Sequence, residues 1–282
     1  MNVILEKRND ISVDAQSIKA ISGTLGVNQK LIELLFLRGM KTEKDVRDFL
    51  FPDVGNFHDP FLMKGMREAV DRIDSAIENN EKIVVYGDYD ADGICSNAIL
   101  SLYLKSRGVE VFSHTPNRIG DGDGLNNDTL EKRIEEGIPD RVIPCECGIS
   151  CYDEVEFVKD LGVDIIVTDH HELRTTEKNG KTQVILPDAD VVINPHQPDC
   201  LYPYKDLCGG AVAYKLVQEL YQKNGFPDSE IEHLIEYAAI ATVGDVMKLT
   251  GENRIIVKEG LKRLNFTQNI GLKALIRANG LK

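Results

Sequence analysis

The chain has 282 residues, of which 42% are hydrophobic, enough to build one large domain or two modest ones. Its formal net charge of −13 argues against a simple nucleic-acid-binding module, because such modules usually present a basic surface. The sequence contains no apolar run long enough to span a membrane and no signal region, and its six cysteines are too few for a disulfide scaffold, so we expect a cytoplasmic protein with no membrane partner.

The first eighty residues predict a helical N-terminal segment. An apolar stripe runs from Asn28 to Leu37, a second helix begins near Thr42, and Lys64 to Glu78 is again amphipathic. From Lys82 onward the pattern changes to short β-branched runs that alternate with helix-length amphipathic stretches. This alternation is typical of parallel βαβ units.

Five strands are predicted, with helices in the intervals between them. The strands are Ile83–Tyr86, Val109–Ser113, Arg141–Cys145, Asp164–Thr168 and Asp190–Ile193. The helices are Ile94–Ser106, Asp128–Glu136, Asp153–Leu161, Ala211–Gln222, Glu230–Thr242, Arg254–Leu264 and Leu272–Ala278. We therefore expect an α/β fold with a doubly wound, mostly parallel five-stranded sheet. The predicted organisation is a helical N-terminal segment (1–80), a catalytic α/β domain (81–250) and a helical extension (251–282).

Polar side chains follow every predicted strand. They are Asp88, Asp90 and Asp92 after the first strand, Asn117 and Arg118 after the second, Glu146 after the third, Asp169, His170 and His171 after the fourth, and Asn194 and His196 after the fifth. In an open parallel sheet the carboxyl ends of the strands lie along one edge, where ligands bind. These residues therefore predict a single site.

The three aspartates after the first strand crowd like charges together, which is unfavourable unless a cation or a proton compensates. With Glu146 and the histidines they form a mixed carboxylate and imidazole set, which suits manganese or magnesium. The alternative is an acidic turn in which an aspartate caps the following helix.

A zinc or redox site at Cys145, Cys147 and Cys151 is a competing interpretation. The spacing is poor for a zinc ribbon, because no second cysteine pair follows at the expected distance. Small buried apolar side chains account better for these cysteines.

Two metals held by bridging carboxylates can activate water and neutralise charge on a phosphoryl group during in-line displacement. Arg118 can clamp a phosphate, and His171 can do the same or move a proton. The residues thus favour a phosphoesterase.

Six motifs, in order and spacing, resemble those of the DHH phosphoesterases, and most closely the single-stranded-DNA exonucleases of that family. They are Gly87–Gly93, Pro116-Asn117-Arg118 with Gly124-Leu125-Asn126, Cys147–Ser150, Asp169–Glu172, Asn194–Gln197, and Gly244-Asp245-Val246 with Gly251–Arg254. The resemblance extends over essentially the whole chain.

The resemblance implies a 5′-to-3′ exonuclease that uses two Mn2+ ions, with Mg2+ as a possible substitute, to release 5′-nucleotides from single-stranded DNA. The implied metal ligands, or their immediate support, are Asp90, Asp92, Glu146, Asp169, His170 and Asp245. Asp88, Arg118 and His171 are implied catalytic residues, and Arg118, His171, Asn194 and His196 are implied contacts to the substrate phosphate. Only the resemblance indicates Asp245, because an aspartate at a helix end is otherwise unremarkable.

Three departures from the family pattern affect these expectations. Glu146 stands where the family usually has aspartate, and Asp123 stands where it commonly has tyrosine. The chain stops at Lys282, where the related exonucleases continue into a second domain and an OB-fold. We therefore expect either a fragment or a short relative, with weak processive digestion.

Two other functions stay open at the level of sequence. One is a DHH-fold module that binds nucleic acid or a replication partner with weak or no catalysis. The other is a phosphodiesterase for small phosphoesters such as oligonucleotides or cyclic dinucleotides. The expected partners are single-stranded DNA or an oligonucleotide, together with single-strand-binding or repair proteins, and the oligomeric state is open.

Overall fold

The computed structural model describes residues 14–117, 124–137, 139–178 and 180–281. The chain forms two compact units, one ending at Gly55 and the other beginning at Asn56. The first unit contains three helices, α1 (Ala15–Leu25), α2 (Gln29–Leu37) and α3 (Glu43–Leu50). Its small core consists of Ile18, Ile21, Ile32, Leu35 and Val46. The predicted helical start of the chain is therefore present.

Side-chain caps define where the helices of the first unit begin. Asp14 and Asn28 cap α1 and α2, and Thr42 caps α3. At α3 the cap is reciprocal, because Thr42 accepts from the N–H of Asp45 while the Asp45 carboxylate accepts from the N–H of Thr42. Such a capping box satisfies backbone donors that the first helical turn leaves unpaired.

The second unit contains the sheet. Its helices are α4 (Met66–Glu78), α5 (Ala91–Ser106), α6 (Asn127–Gly137), α7 (Tyr152–Asp160), α8 (Gly209–Lys223), α9 (Ile235–Gly244), α10 (Gly251–Leu264) and α11 (Ile270–Ala278). Its strands are β1 (Ile83–Gly87), β2 (Val111–His114), β3 (Arg141–Cys145), β4 (Asp164–Thr168), β5 (Thr175–Lys178), β6 (Lys181–Val184) and β7 (Val191–Ile193). No helix in the described ranges is both long and apolar enough to cross a membrane.

Five of the strands form one parallel sheet in the order β2-β1-β3-β4-β7. These are the five strands that the sequence predicts, with bounds that differ by at most two residues. The structure confirms the doubly wound α/β fold. Helix α4 belongs to the second unit and packs into the same core as the sheet.

Both faces of the sheet are covered by helices, and alternate strand residues enter two separate cores. Ile83 and Val85 pack on one side with residues of α4, α5 and α8, whereas Val84 and Tyr86 pack on the other side with α6 and α7. Burial on both sides explains why β1 is a continuous apolar run. Each buried valine or isoleucine contributes about 1.5–3 kcal/mol to stability.

The amino edge of the sheet is held by a cluster of ion pairs around the buried Arg141. Arg141, at the start of β3, is 1% exposed, and its guanidinium pairs with Glu81 and with Asp164. Arg72 of α4 pairs with the same two carboxylates. This cluster ties α4, β3 and β4 together at the edge opposite the site.

A small antiparallel hairpin of β5 and β6 lies outside the main sheet and was not predicted. All four residues of β5 are exposed, so the segment lacks the apolar alternation that indicates a strand. Gly180 at the turn has φ +71°, a left-handed conformation that glycine adopts without strain.

Candidate metal centre

The loop after β1 is a tight turn that leaves Asp90 exposed and buries Asp92. Asp90 is the N-cap of α5, and its Oδ1 accepts from the N–H of Gly93 at 2.9 Å. A Cβ on Gly93 would lie 2.5 Å from the backbone of Asp88, so only glycine fits at that position. The capping alternative therefore describes the exposed Asp90, whereas Asp92 is fully buried.

The Asp92 carboxylate is held by the first two amides of α8. The N–H of Gly209 donates to Oδ2 and the N–H of Gly210 donates to Oδ1, both at 2.7 Å. A helix N-terminus favours negative charge in this position. Burial raises the pKa of Asp92, and the charge of His170 and the two amides oppose that shift.

Glu146 is a buried carboxylate with a strained backbone. Its φ is +63°. A Cβ on Gly209 would lie 2.6 Å from the Cβ of Glu146, so the lack of a side chain at Gly209 makes room for the Glu146 side chain. Its Oε2 is buried without a hydrogen-bond partner among the described groups. Burial raises the pKa of Glu146 to about 10, and the charges of Asp92 and Asp90 add to this rise.

The Asp169 carboxylate orients the loop after β4. Its Oδ1 accepts from the N–H groups of His170 and His171 at 2.7 and 3.0 Å, and its Oδ2 accepts from the N–H of Ile149 at 3.0 Å. Burial alone would raise the pKa of Asp169, but its bonds with His171 and the backbone amides hold that pKa below its usual value. Three backbone N–H groups and the His171 ring thus contact its two oxygens, which suits a residue that holds the histidine loop in place.

His171 is the accessible imidazole of the pair, with 52% of its side chain exposed. Its Nδ1 lies 2.8 Å from Oδ1 of Asp169, and this hydrogen bond raises the pKa of His171 despite partial burial. Its Nε2 lies 3.5 Å from Oε1 of Glu146. The ring is therefore anchored at one nitrogen and directed at the acidic cluster with the other.

Several carboxylates converge on the buried Nε2 atom of His170, which has no hydrogen-bond partner among the described groups. It lies 3.4 Å from Oδ2 of Asp92 and 3.8 Å from both Oε1 of Glu146 and Oδ2 of Asp245. Uncompensated buried polar atoms are costly, so this arrangement requires a proton or a cation among them.

The donor atoms fit a divalent metal ion. Two overlapping groups each bring three ligand atoms within 4.8 Å of one another, and they share one histidine. The groups are Glu146 with His170 and His171, and Asp92 with His170 and Asp245. Carboxylate and imidazole donors without thiolate suit manganese or magnesium better than a thiolate-bound metal.

Asp245 joins this cluster from the C-terminal end of α9, where it is the C-cap residue. Its side chain is part-exposed. Residue chemistry alone does not indicate it, because the contact with His170 joins segments far apart in the chain. The family resemblance was the only signal in the sequence that found it.

The remaining predicted site residues lie around the cluster or outside the described ranges. The Asn194 amide donates to the carbonyl of His171 at 3.0 Å, and its Oδ1 accepts from the N–H of His196 at 2.8 Å. Asn194 therefore braces the loop that carries the histidines. Arg118 and Asp123 lie outside the described residues.

Cys145 and Cys147 are buried side chains, as the apolar interpretation predicts. The Sγ atoms of Cys145 and Cys147 lie 3.5 and 3.6 Å from the same carbonyl oxygen, that of Tyr86, and both thiols are buried. Burial raises the pKa of each thiol, which disfavours the thiolate that binds zinc. Neither potential metal group among the described residues includes a cysteine.

Comparison with known proteins identifies relatives of this fold and site. The family model "DHH family, N-terminal domain" matches residues 82–244. The single-stranded-DNA-specific exonuclease RecJ of Bacillus subtilis is 38% identical over 267 residues, which are 95% of this chain and 32% of that protein. RecJ of Dickeya dadantii is 33% identical over 229 residues, 77% of this chain and 38% of that protein.

Solved structures agree with these matches. RecJ from Thermus thermophilus in complex with Mn2+ has a TM-score of 0.76 and 28% identity, covering 96% of this chain and 36% of that chain. Exonuclease RecJ bound to manganese has a TM-score of 0.67 and 32% identity, covering 77% and 52%. The chain spans about a third of the length of the curated relatives named above. Because the matching family model covers more than half of its residues, the chain belongs to the DHH family.

Proposed function

We propose that this chain carries the catalytic centre of a metal-dependent phosphodiesterase, a 5′-to-3′ exonuclease that releases 5′-nucleotides from single-stranded DNA. The observation that supports it most is the convergence of Asp92, Glu146 and Asp245 on the buried, unpartnered Nε2 of His170. Three carboxylates from separate segments meet one imidazole at the edge of the sheet where ligands bind.

Asp92, Glu146, His170 and Asp245 are the residues that would hold the metal, with Mn2+ as the preferred ion and Mg2+ as a substitute. A divalent cation at this position supplies positive charge that makes water more acidic and neutralises charge on a phosphoryl group. Both ligand groups include His170, whose Nε2 can bind only one cation, so a second cation would depend on the carboxylates. Asp90 is close enough to Glu146 for its charge to raise the pKa of that carboxyl.

The other polar residues of the site hold its loops in place, hold a proton or contact the phosphate. Asp169 holds the histidine loop in place, and Asn194 braces it from the end of β7. The ring of His171 is fixed through Nδ1 and presents Nε2 on the accessible side of the cluster. There Nε2 holds a proton for a phosphate oxygen or for the leaving group. Arg118 is proposed as a further phosphate contact.

Single-stranded DNA is proposed as the substrate because the relatives named above are single-stranded-DNA-specific exonucleases. The net charge of −13 makes strong binding to DNA through bulk electrostatics unfavourable, so the metal centre supplies the main attraction for a phosphate. Single-strand-binding or repair proteins are proposed as partners. A cytoplasmic location is proposed because all six cysteines are free thiols.

The test is hydrolysis of a single-stranded oligonucleotide labelled at its 5′ end or its 3′ end, with manganese. We expect release of the 5′-terminal mononucleotide first, and loss of activity in Asp90→Ala and His170→Ala. Asp188→Ala, which removes an exposed carboxylate away from the site, is the matched control and keeps full activity.

Retained hydrolysis in both site variants would overturn the assignment. Hydrolysis of dinucleotides but not of longer strands would move the substrate to small phosphoesters. Manganese binding without hydrolysis of any phosphodiester would favour the binding-module alternative.

A further inference from the structure

The motif Gly251-Glu252-Asn253-Arg254, which begins helix α10, has no assigned role in the metal centre. Asn253 is fully buried, and its side-chain amide donates to two backbone carbonyls, that of Asp206 at 2.5 Å and that of Lys248 at 3.2 Å. An amide nitrogen carries two hydrogens, so one side chain can hold both carbonyls at once. Asn253 therefore joins two loops that are far apart in the chain.

One of these loops, residues 245–250, begins at Asp245 of the metal centre and is called the Asp245 loop. Within the described ranges no hydrogen bond holds the Asp245 carboxylate, so its place 3.8 Å from Nε2 of His170 depends on the backbone that carries it. Four of the six residues of this loop are exposed, and only Met247 packs against the core. Apolar burial therefore contributes little to fixing the Asp245 loop.

The other loop, residues 204–208, leads into α8 and is called the α8 loop. It is anchored in the core, because Leu207 and Cys208 are fully buried and Sγ of Cys208 lies 3.5 Å from Oγ1 of Thr242 in α9. The first two amides of α8, which follow directly, hold the Asp92 carboxylate. The α8 loop is thus a firm support beside the loosely packed Asp245 loop.

Tyr204 of the α8 loop adds to the link that Asn253 makes. Its hydroxyl lies 2.9 Å from the carbonyl oxygen of Thr250 and 3.4 Å from that of Lys248, and it can donate to the nearer one. An ion pair of Lys248 with Asp206 joins the same loops at 3.5 Å, but both side chains are substantially exposed, and such pairs contribute little. Asn253 and Tyr204 are together called the clasp.

We propose that the clasp fixes the Asp245 loop against the α8 loop and so holds the Asp245 carboxylate in place for the metal. This rests on the proposed metal centre. The carboxylates of Asp92, Glu146 and Asp245 repel one another when no cation lies between them. A loop with little packing would carry Asp245 away from the others unless its backbone were held. Asn253 does not contact the metal-binding groups, so it is a positioning residue.

Calorimetric titration with MnCl2 compares the parent with two clasp variants. Asn253→Ala should weaken binding about tenfold, as loss of an outer contact in a metal site typically does. Tyr204→Phe removes one hydroxyl and keeps the ring, so it should weaken binding about threefold. Asn265→Ala is the matched control, because the Asn265 amide also donates to a backbone carbonyl, that of Leu261, at the far end of α10. It should bind manganese as the parent does.

A double variant separates positioning of Asp245 from a general effect on the fold. Asp245→Asn combined with Asn253→Ala should bind manganese as weakly as Asp245→Asn alone, because the clasp acts through Asp245. Additive losses would overturn the proposal, since Asn253 would then act on the centre by another route. An affinity in Asn253→Ala equal to that of the parent would overturn it too.

Hydrogen–deuterium exchange without metal tests the clasp independently of the proposed function. In the parent the N–H of Met247 in the Asp245 loop donates to the carbonyl of Thr242 at 3.1 Å. Asn253→Ala and Tyr204→Phe should speed exchange of this amide, whereas α7, on the opposite face of the sheet, should exchange as in the parent. Unchanged exchange in both variants would overturn the proposal. If the parent binds no manganese but exchange rises in both variants, the metal function fails while the clasp stands.

Discussion

The backbone N–H of Gly210 donates a 2.7 Å hydrogen bond to Oδ1 of Asp92, a residue 118 positions earlier in the chain. The neighbouring amide of Gly209 binds the other oxygen of the same carboxylate. The start of α8 therefore holds both oxygens of a buried carboxylate in the proposed metal centre.

Gly210→Ala is predicted to weaken manganese binding about 10-fold or more, as loss of an outer contact to a metal ligand typically does. The new Cβ would lie 2.5 Å from Cβ of Ala241 and 3.2 Å from Oδ1 of Asp92, so α8 must shift away. Calorimetric titration with MnCl2 measures the change. Gly23→Ala, at a glycine with no atom within 4 Å of its would-be Cβ, is the control. Unchanged affinity in Gly210→Ala would show that the α8 amides do not position Asp92 for the metal.

Manganese is predicted to stabilise the fold, because the ion binds the native cluster and not the unfolded chain. At about 100 times the dissociation constant the gain is about 2.7 kcal/mol, which raises Tm by about 5–10 °C for a domain of this size. A chelator should reverse the shift. Thermal unfolding followed by circular dichroism measures it.

Asp245→Asn distinguishes manganese binding at the proposed metal centre from nonspecific stabilisation by the ion. The variant should lose most of the manganese-dependent rise in Tm, because it removes the charge of a carboxylate that faces His170. Asp188→Asn, at an exposed carboxylate paired with Lys159, should keep the full rise. An equal rise in both variants would place the stabilising ion elsewhere.

Arg141→Ala is predicted to destabilise the second unit by about 3 kcal/mol, because it leaves Glu81 and Asp164 without their buried partner. Arg72→Ala should cost only about 1 kcal/mol, since Arg72 is more exposed and Arg141 still pairs with both carboxylates. Urea unfolding gives both values. Equal costs would show that burial of Arg141 does not set its contribution.

The Asp45 cap predicts a pH dependence in the first unit. Hydrogen bonds from Lys41 and Thr42 lower the pKa of the Asp45 carboxyl. Because the folded pKa is the lower one, the stabilisation is present above about pH 4 and is lost as the pH falls through the folded value. Asp45→Asn should therefore lower stability at pH 7, and this loss should shrink as the pH falls below about 4.

Urea unfolding of the first unit at several pH values checks this. Asp48→Asn, which removes only an exposed ion pair with Lys44, is the control and should have a small effect at every pH. A cost for Asp45→Asn that stays constant from pH 2 to pH 7 would contradict the role of the charged cap.

Local patterns were sufficient to predict the main sheet. β1 and β4 are short, β-branched and buried on both faces, so composition alone identifies them. The β5–β6 hairpin was missed because its stability comes from a turn at Gly180 and backbone pairing, which leave no apolar period in the sequence. The predicted domain boundaries stay predictions.

The site was predictable only in part, for the same reason. Polar residues at strand ends pointed to one edge, and the structure brings Asp92, Glu146 and His170 together there. The bonds from the α8 amides to Asp92 and the approach of Asp245 to His170 join distant segments, and no local pattern reports such contacts. The metal ligand assignments themselves stay predictions.

Anomalous diffraction at the manganese absorption edge, from crystals soaked in MnCl2, would locate the bound ion itself. We expect anomalous density between Nε2 of His170 and the carboxylates of Asp92, Glu146 and Asp245, and its loss in His170→Ala crystals. Absence of that density in the parent, or its persistence in the variant, would contradict the claim that these residues form the metal centre.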